Sequence, residues 1–437
     1  MPDDSIMQTD SLTEAAFDRM EESNLIRFAK IIAHLLVTGN IPTGEKVDIG
    51  NAVELIGLSQ EEGIHIGLPL TTNEKLWKNV ELSGYIAWGF GDRAVKGKGQ
   101  IRALLPTQRR NLIGAYYWDH YAPSDFSRVD YMMRENTAFY GEHDFAHMFF
   151  GGIPYNEEKL IANNRRREFK IWTENDLSDN VETEFAFSTG RMGYYSPLVG
   201  YYNIPSFRYN TLFAAVRLGW GERKVDMFMR RRHVHSQYPV VHLAAEAGSW
   251  KLDKKEAKHA RYYEETNLYA RLSLLVQQTV PLGIVGTLDY SLQAGIIFGE
   301  VPYPFLEHFI GNQSYTYDPY RFTLMNAHQY AADKYVFAHL HWNMQGAIFN
   351  RIPYIQRLHL RELVEMKFAY GSLSDKHSEV LDLPDGMGAM RVPYVEAGIG
   401  IGNILRIADL YAVFRLTDVH NTTTPWWGIR ARFSVGL

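Results

Sequence analysis

The sequence has no cysteine, which excludes disulfides, thiolate metal sites and cysteine nucleophiles together. Long apolar runs are missing as well. A stretch such as Ile31-Ile32-Ala33-His34-Leu35-Leu36-Val37 falls far short of the roughly 20 residues a membrane-spanning helix needs. Charge of one sign is not concentrated: the net charge is -5, the pI is near 6.4 and the basic residues are spread along the chain, so no nucleic-acid partner is expected. The opening Met1-Pro2-Asp3-Asp4-Ser5 lacks the basic and apolar regions of a secretory signal. No Gly-x-Ser-x-Gly nucleophile elbow occurs either.

What is present is aromatic and alternating. Aromatics make up 14% of the 437 residues, with 27 Tyr and 9 Trp, while 22% are charged. The mean hydropathy of -0.26 is that of a soluble protein. Strands with one apolar and one polar face give this average, because the two faces cancel in any window.

Residues 11–37 read as a helix: Ser11 and Thr13 suit its N-terminus, Leu25, Phe28, Ile31, Ile32, Leu35 and Leu36 fall at helical spacing, and Gly39 stops it. From about residue 45 the period becomes two. Val80, Leu82, Ile86, Trp88 and Phe90 face one way, against Glu81, Ser83, Tyr85 and Ala87. Leu288, Tyr290, Leu292, Ala294, Ile296 and Phe298 oppose Thr287, Asp289, Ser291, Gln293 and Gly295. Such segments match the roughly 9 to 11 residues of a tilted membrane-crossing strand and exceed the about 5 to 6 of globular strands. At the end, Trp427, Ile429, Ala431, Phe433, Val435 and Leu437 alternate with Trp426, Gly428, Arg430, Arg432, Ser434 and Gly436. A strand this apolar invites aggregation unless it pairs, as it would with the first strand of a closed barrel.

The expected fold class is therefore all-β: a transmembrane antiparallel β-barrel of about 16 strands with a short N-terminal helix. Residues 1–44 form an N-terminal helical, periplasmic segment, and 45–437 the outer-membrane barrel, with long loops near 121–162 and 299–326. An outer-membrane protein requires a leader, so the chain is expected to be a fragment whose upstream part is missing.

Several segments resemble a Bacteroidota outer-membrane barrel family of unknown function. They are Gly39-Asn40-Ile41-Pro42, Gly63-Ile64-His65-Ile66-Gly67, Gly84-Tyr85-Ile86-Ala87-Trp88-Gly89-Phe90-Gly91-Asp92, Tyr238-Pro239-Val240, Gly299-Glu300-Val301-Pro302-Tyr303-Pro304, Gly311-Asn312, Tyr317-Asp318-Pro319-Tyr320, Leu324-Met325-Asn326, Tyr370-Gly371-Ser372-Leu373-Ser374-Asp375 and Pro393-Tyr394-Val395-Glu396-Ala397-Gly398-Ile399-Gly400. The resemblance implies an upstream carboxypeptidase-regulatory-like domain, which is a binding module and brings no peptidase. That family's barrel is in turn similar to the surface-antigen superfamily of outer-membrane assembly and two-partner secretion barrels. The implied function is insertion or export of envelope proteins, with outer-membrane lipid and other envelope proteins or lipoproteins as partners. The Arg-Gly-Phe or Arg-Gly-Tyr loop signature of those machines has no counterpart around 310–315.

Candidate lumen-lining residues are Arg217, Asp289, Glu365, Lys367, Glu396, Asp409, Arg415, Arg430 and Arg432, with His339 and His341. Charges of both signs can pair and brace the wall, or line a pore as in a passive channel. His143 and His147, at i and i+4 beside Glu142 and Asp144, have metal-ligand spacing only if their loop is helical, while His233/His235 and His339/His341 share a strand face and read as lumen or interface residues rather than metal or pH-gating sites; no metal or cofactor is expected. A lipid hydrolase on the outer rim is the third alternative, but no residues single out a triad, and the chain is not expected to be an enzyme.

Overall fold

The computed structural model describes residues 40–43, 45–50, 52–59, 62–122, 164–193, 206–236, 238–253, 259–311, 317–326, 329–383, 386–419 and 424–433. The expected helix over 11–37 lies outside them. So does the expected insertion at 121–162, apart from Tyr121 and Ala122, which continue a strand.

The first elements are β1 (Val47–Ile49), the one-turn helix α1 (Ala52–Leu55), β2 (Ile56–Ser59), β3 (Gly63–Thr72), β4 (Val80–Gly89), β5 (Ala94–Leu104) and β6 (Asn111–Ala122). Next come β7 (Asn164–Ser178), β8 (Val181–Gly193), β9 (Phe207–Leu218), β10 (Arg223–Met227), β11 (Arg230–His235) and β12 (Val240–Leu252). Then follow the helical turn α2 (Arg261–Glu264), β13 (Asn267–Pro281), β14 (Thr287–Gly299), β15 (Glu307–His308), β16 (Ala331–Ala332) and β17 (Lys334–Asn343). The chain closes with β18 (Arg361–Ser372), β19 (Tyr394–Ile404), β20 (Ala408–Arg415) and β21 (Trp427–Phe433).

Seventeen strands form one sheet, while β10–β11 and β15–β16 are separate two-stranded pairs. Each long strand is antiparallel to the next along the chain, from β3 through β9, then β12, β13, β14 and β17 to β21. β1 and β2 divide one edge, β1 pairing with the end of β3 and β2 with its start. A count of sixteen is not established by this arrangement. Nor is closure: among the described residues no pairing joins β21 to β1, β2 or β3.

The alternation read from the sequence has a physical counterpart with its polarity reversed from a soluble sheet. On β4, Leu82, Ile86 and Trp88 are exposed while Glu81, Tyr85 and Ala87 are buried. On β13, Leu268 and Leu272 are exposed against buried Tyr269, Arg271 and Ser273. Trp426, expected on the inner side, is instead exposed beside Trp427, because the strand begins only after it.

Connections differ at the two ends. One end carries the tight turns 179–180, 282–286 and 405–407 together with the longer connections 219–239 and 344–360; the other carries the turn 90–93 and the excursions 253–266, 300–333 and 373–393. The β13–β14 turn needs glycine at Gly286, where φ is +92° and a Cβ would lie 1.9 Å from the Asn343 carbonyl oxygen. The excursion expected over 299–326 runs on to β17, and it packs into the sheet's inner face. Val301, Tyr303, Phe305 and Leu306 join Phe207, Tyr209, Trp250 and Tyr269 in one apolar cluster. Phe309, Phe322 and Met325 join Phe337, Ala369 and Tyr394 in a second.

Candidate functional site

The inner faces of β13 and β17–β21 hold this excursion chiefly through its main chain. Strand alternation turns Glu365, Lys367, Glu396, Arg415 and Arg430 inward, where all are buried. Glu396 accepts the backbone N–H of Thr323 at 2.6 Å and of Leu324 at 3.1 Å, and the Tyr394 hydroxyl at 3.1 Å. Lys367 donates to the carbonyls of Asp318 (3.2 Å) and Arg321 (2.7 Å) and to Thr323 Oγ1 (2.9 Å). Its ammonium lies 3.4 Å from Glu365 and 3.7 Å from Glu396. Arg430 reaches the Thr323 carbonyl at 3.4 Å. On β13, Arg271 binds the Phe305 carbonyl and meets Glu307 at 3.1 Å.

Tyr317 is the pivot of the wedge. Its ring stacks on Tyr411 with centroids 3.7 Å apart and planes at 14°, Lys367 sits 4.6 Å over the ring, and its hydroxyl donates to Glu365. Burial and the Glu365 charge push the phenol well above its ordinary value, so it remains a donor. Its backbone N–H donates to the Ala431 carbonyl at 2.8 Å. Arg415 N–H bonds the Trp426 carbonyl, so bonding to β20 falls on residues 426, 428 and 430, and Ala431 points its carbonyl to the open side of β21. The excursion thus occupies part of the edge a first strand would need.

The remaining lumen candidates divide among other contacts. Arg217 pairs with Glu222 at 2.5 Å and Glu182 at 3.7 Å, beneath the β10–β11 hairpin. His233 on that hairpin lies 3.1 Å from Glu182; the side chain of His235 lies outside the described residues, as do His143 and His147. Arg415 binds Thr424 on its own β20–β21 connection. Asp289 is half-exposed beside His341 at 3.8 Å, and His341 reaches the Tyr411 hydroxyl at 3.2 Å. His339 is buried among Phe322, Phe337 and Tyr320. Asp409 accepts the Asn403 N–H at 2.9 Å in the β19–β20 turn, and Arg432 is half-buried.

Thr323 and Thr424 escaped the sequence reading, and Tyr317 entered it only within a family segment and not as a site residue, because loop residues carry no periodic signal. A second cluster escaped it entirely. Glu62, His65 and His120 converge near the β2–β3 turn and are the group among the described residues able to offer a metal three ligand atoms. Inward alternation of His65 and His120 was the available sign, but sequence does not say which inward residues meet.

The chain matches the family of unknown function (DUF5686), C-terminal domain, over residues 197–381, less than half its length. No curated protein matches. Among solved structures, BamA from Haemophilus ducreyi lacking POTRA domains 1-3 is similar at 11% identity and TM-score 0.44, covering 87% of this chain and 69% of that one. CdiB from Acinetobacter baumannii is similar at 9% identity and TM-score 0.41, covering 86% and 57%. OmpT, an outer membrane protein of Vibrio cholerae, follows at 9% and TM-score 0.30, covering 77% and 88%. All three scores fall below 0.5.

Proposed function

We propose that the chain is an outer-membrane β-barrel of assembly or secretion type, acting on other envelope proteins rather than conducting solutes or catalysing a reaction. The membrane reading is supported by the reversed polarity of the sheet, with leucine, isoleucine and aromatic side chains outward and carboxylates and cations inward. Exposed Trp77, Trp220 and Tyr238 lie at one end of the strands and Trp88, Phe90 and Trp427 at the other, where interfacial belts sit, with Tyr117, Phe185 and Phe187 exposed between them. The excursions 253–266, 300–333 and 373–393 share one end, which on this proposal faces outside the cell, although the periplasmic end also carries the connections 219–239 and 344–360.

The observation that carries assembly over conduction is the Tyr317 wedge. Charges able to line a pore instead grip the backbone of the excursion, and that excursion bonds to the edge of β21. A braced interior beside an edge that, among the described residues, meets the excursion and no second strand suits a machine in which a client strand displaces the excursion from that edge. Outer-membrane lipid and envelope proteins or lipoproteins are the proposed partners, and no catalytic step enters the reading.

Depletion of the full-length protein followed by quantitative envelope proteomics tests it. Loss of a subset of other outer-membrane proteins is expected; unchanged levels of all of them would remove the proposal. Planar bilayers holding the purified protein are expected to show no steady conductance, and a stable ohmic pore would favour the channel instead.

A further inference from the structure

Four chain segments meet on the inner face near the long-excursion end. Glu62 comes from the β2–β3 turn, His65 from the start of β3, Lys96 from the start of β5 and His120 from the end of β6. Glu62, His65 and Lys96 are buried, and His120 is half-buried. Glu62 Oε1 lies 2.7 Å from His65 Nδ1 and 3.3 Å from His120 Nε2. One ligand atom from each of the three lies within 4.8 Å of the other two. We propose that Glu62, His65 and His120 bind a divalent transition-metal ion, with zinc the best fit to two imidazoles and one carboxylate.

The two spacings from Glu62 are close to what the metal requires, and the two histidine ligand atoms lie within 4.8 Å of each other. Tetrahedral zinc with ligands at about 2.0–2.1 Å holds its donor atoms roughly 3.4 Å apart. The Glu62–His120 pair already meets this, and the Glu62–His65 pair needs to open by several tenths of an ångström. Three protein ligands leave a fourth position for water or an incoming group.

The surroundings are built to hold the ligands. His120 Nδ1 lies 2.8 Å from the Tyr85 hydroxyl, which accepts the Trp118 indole N–H at 3.0 Å. Such a contact fixes the imidazole with Nε2 toward Glu62, the role outer hydrogen bonds play around metal-bound histidines. Lys96 sits 2.8 Å from Glu62 Oε2 and 2.6 Å from Asp92, and the Tyr121 hydroxyl donates to Asp92 at 3.1 Å. Lys96 therefore engages Oε2 of Glu62, which like Oε1 lies 3.3 Å from His120 Nε2, while Oε1 is the oxygen that meets His65. With neutral imidazoles, two carboxylates against one ammonium leave a net negative charge, which favours a cation. Two glycines clear the space: a Cβ at Gly57 would lie 2.2 Å from His65 Cε1, and one at Gly89 would lie 2.3 Å from Asp92 Oδ1 and 2.5 Å from Lys96 Nζ.

A bound ion would tie β3 to β6 across β4 and β5 on the concave side, fixing curvature beside the edge shared by β1 and β2. The test is equilibrium binding of Co(II) and Zn(II) to the whole chain folded in detergent, with any affinity tag removed. A single equivalent retained after dialysis, with the visible bands of low-coordinate cobalt, is expected. H65Q and H120Q should each abolish stoichiometric retention, Y85F should weaken binding by about 10-fold, and H233Q, at the opposite end, should leave it unchanged. Heat-shifted gel mobility verifies that each variant is folded. No stoichiometric binding by the folded wild type, or equal binding by folded H65Q and H120Q, would overturn the proposal. Envelope proteomics after depletion reads the assembly role separately, so either idea can fail alone.

Discussion

Lys367 shows what one inward side chain does here. Its ammonium has three oxygen acceptors on the wedge and two carboxylates within 4 Å. Replacing it by methionine keeps the volume but leaves Glu365 and Glu396 buried without their cation. Removing one partner of a buried ion pair costs about 3–5 kcal/mol. K367M should therefore lose about that much in urea unfolding in lipid vesicles, and K367M/E396Q should recover part of it because the second change removes a stranded charge. Equal stability of K367M and wild type would contradict the account. That Lys367, Glu365 and Glu396 face inward was legible, since alternation fixes the face. That Lys367 and Glu396 grip main-chain oxygens and N–H groups of 318–324 was not, because a loop backbone has the same donors and acceptors whatever its sequence.

Among elements, the excursion 300–333 is closed at its base by His377, in the β18–β19 connection. The Val301 N–H donates to His377 Nδ1 at 3.2 Å, and His377 Nε2 lies 3.3 Å from Asp333. This arrangement needs a neutral ring with its proton on Nε2, because a protonated Nδ1 would face another donor. Burial holds the His377 pKa below its ordinary value, against the opposing pull of Asp333. A depressed histidine binds its proton less readily folded than unfolded, so the stabilisation is complete above the unfolded value of about 6.5 and declines as pH falls toward the folded one. Hydrogen exchange in 300–306 and 373–383 should accelerate as pH is lowered through that value, after correction for intrinsic rates, and H377Q should flatten the dependence. Identical pH profiles in both proteins would rule out His377 as the cause. The existence of an excursion after Gly299 was readable from broken alternation and Pro302, Pro304 and Pro319. Its extent and its inward course were not, because Phe305, Phe309 and Phe322 find their apolar partners on strands far away in sequence.

For the whole molecule the question is which solvent the outer face meets. In water, an exposed leucine can become arginine at almost no cost. In a bilayer the same change costs about 2–4 kcal/mol at the midplane and about 0–1 near the interfaces. Leu68 is mid-strand on β3, pairs with Ile86 and is 61% exposed. Ile284 is 87% exposed but lies in the β13–β14 turn. More exposed yet nearer the aromatic level of Trp77, Trp220 and Tyr238, it separates the two solvents by rank. If the sheet spans a membrane, L68R loses about 2–4 kcal/mol in vesicles and I284R about 0–1, an order that simple exposure would reverse. Two small and similar costs would mean that the apolar face meets another protein surface or water, and the membrane reading would fall with them. The comparison requires no assumption about closure of the β21 edge, because Leu68 is paired through β3 and β4 whether or not that seam is joined.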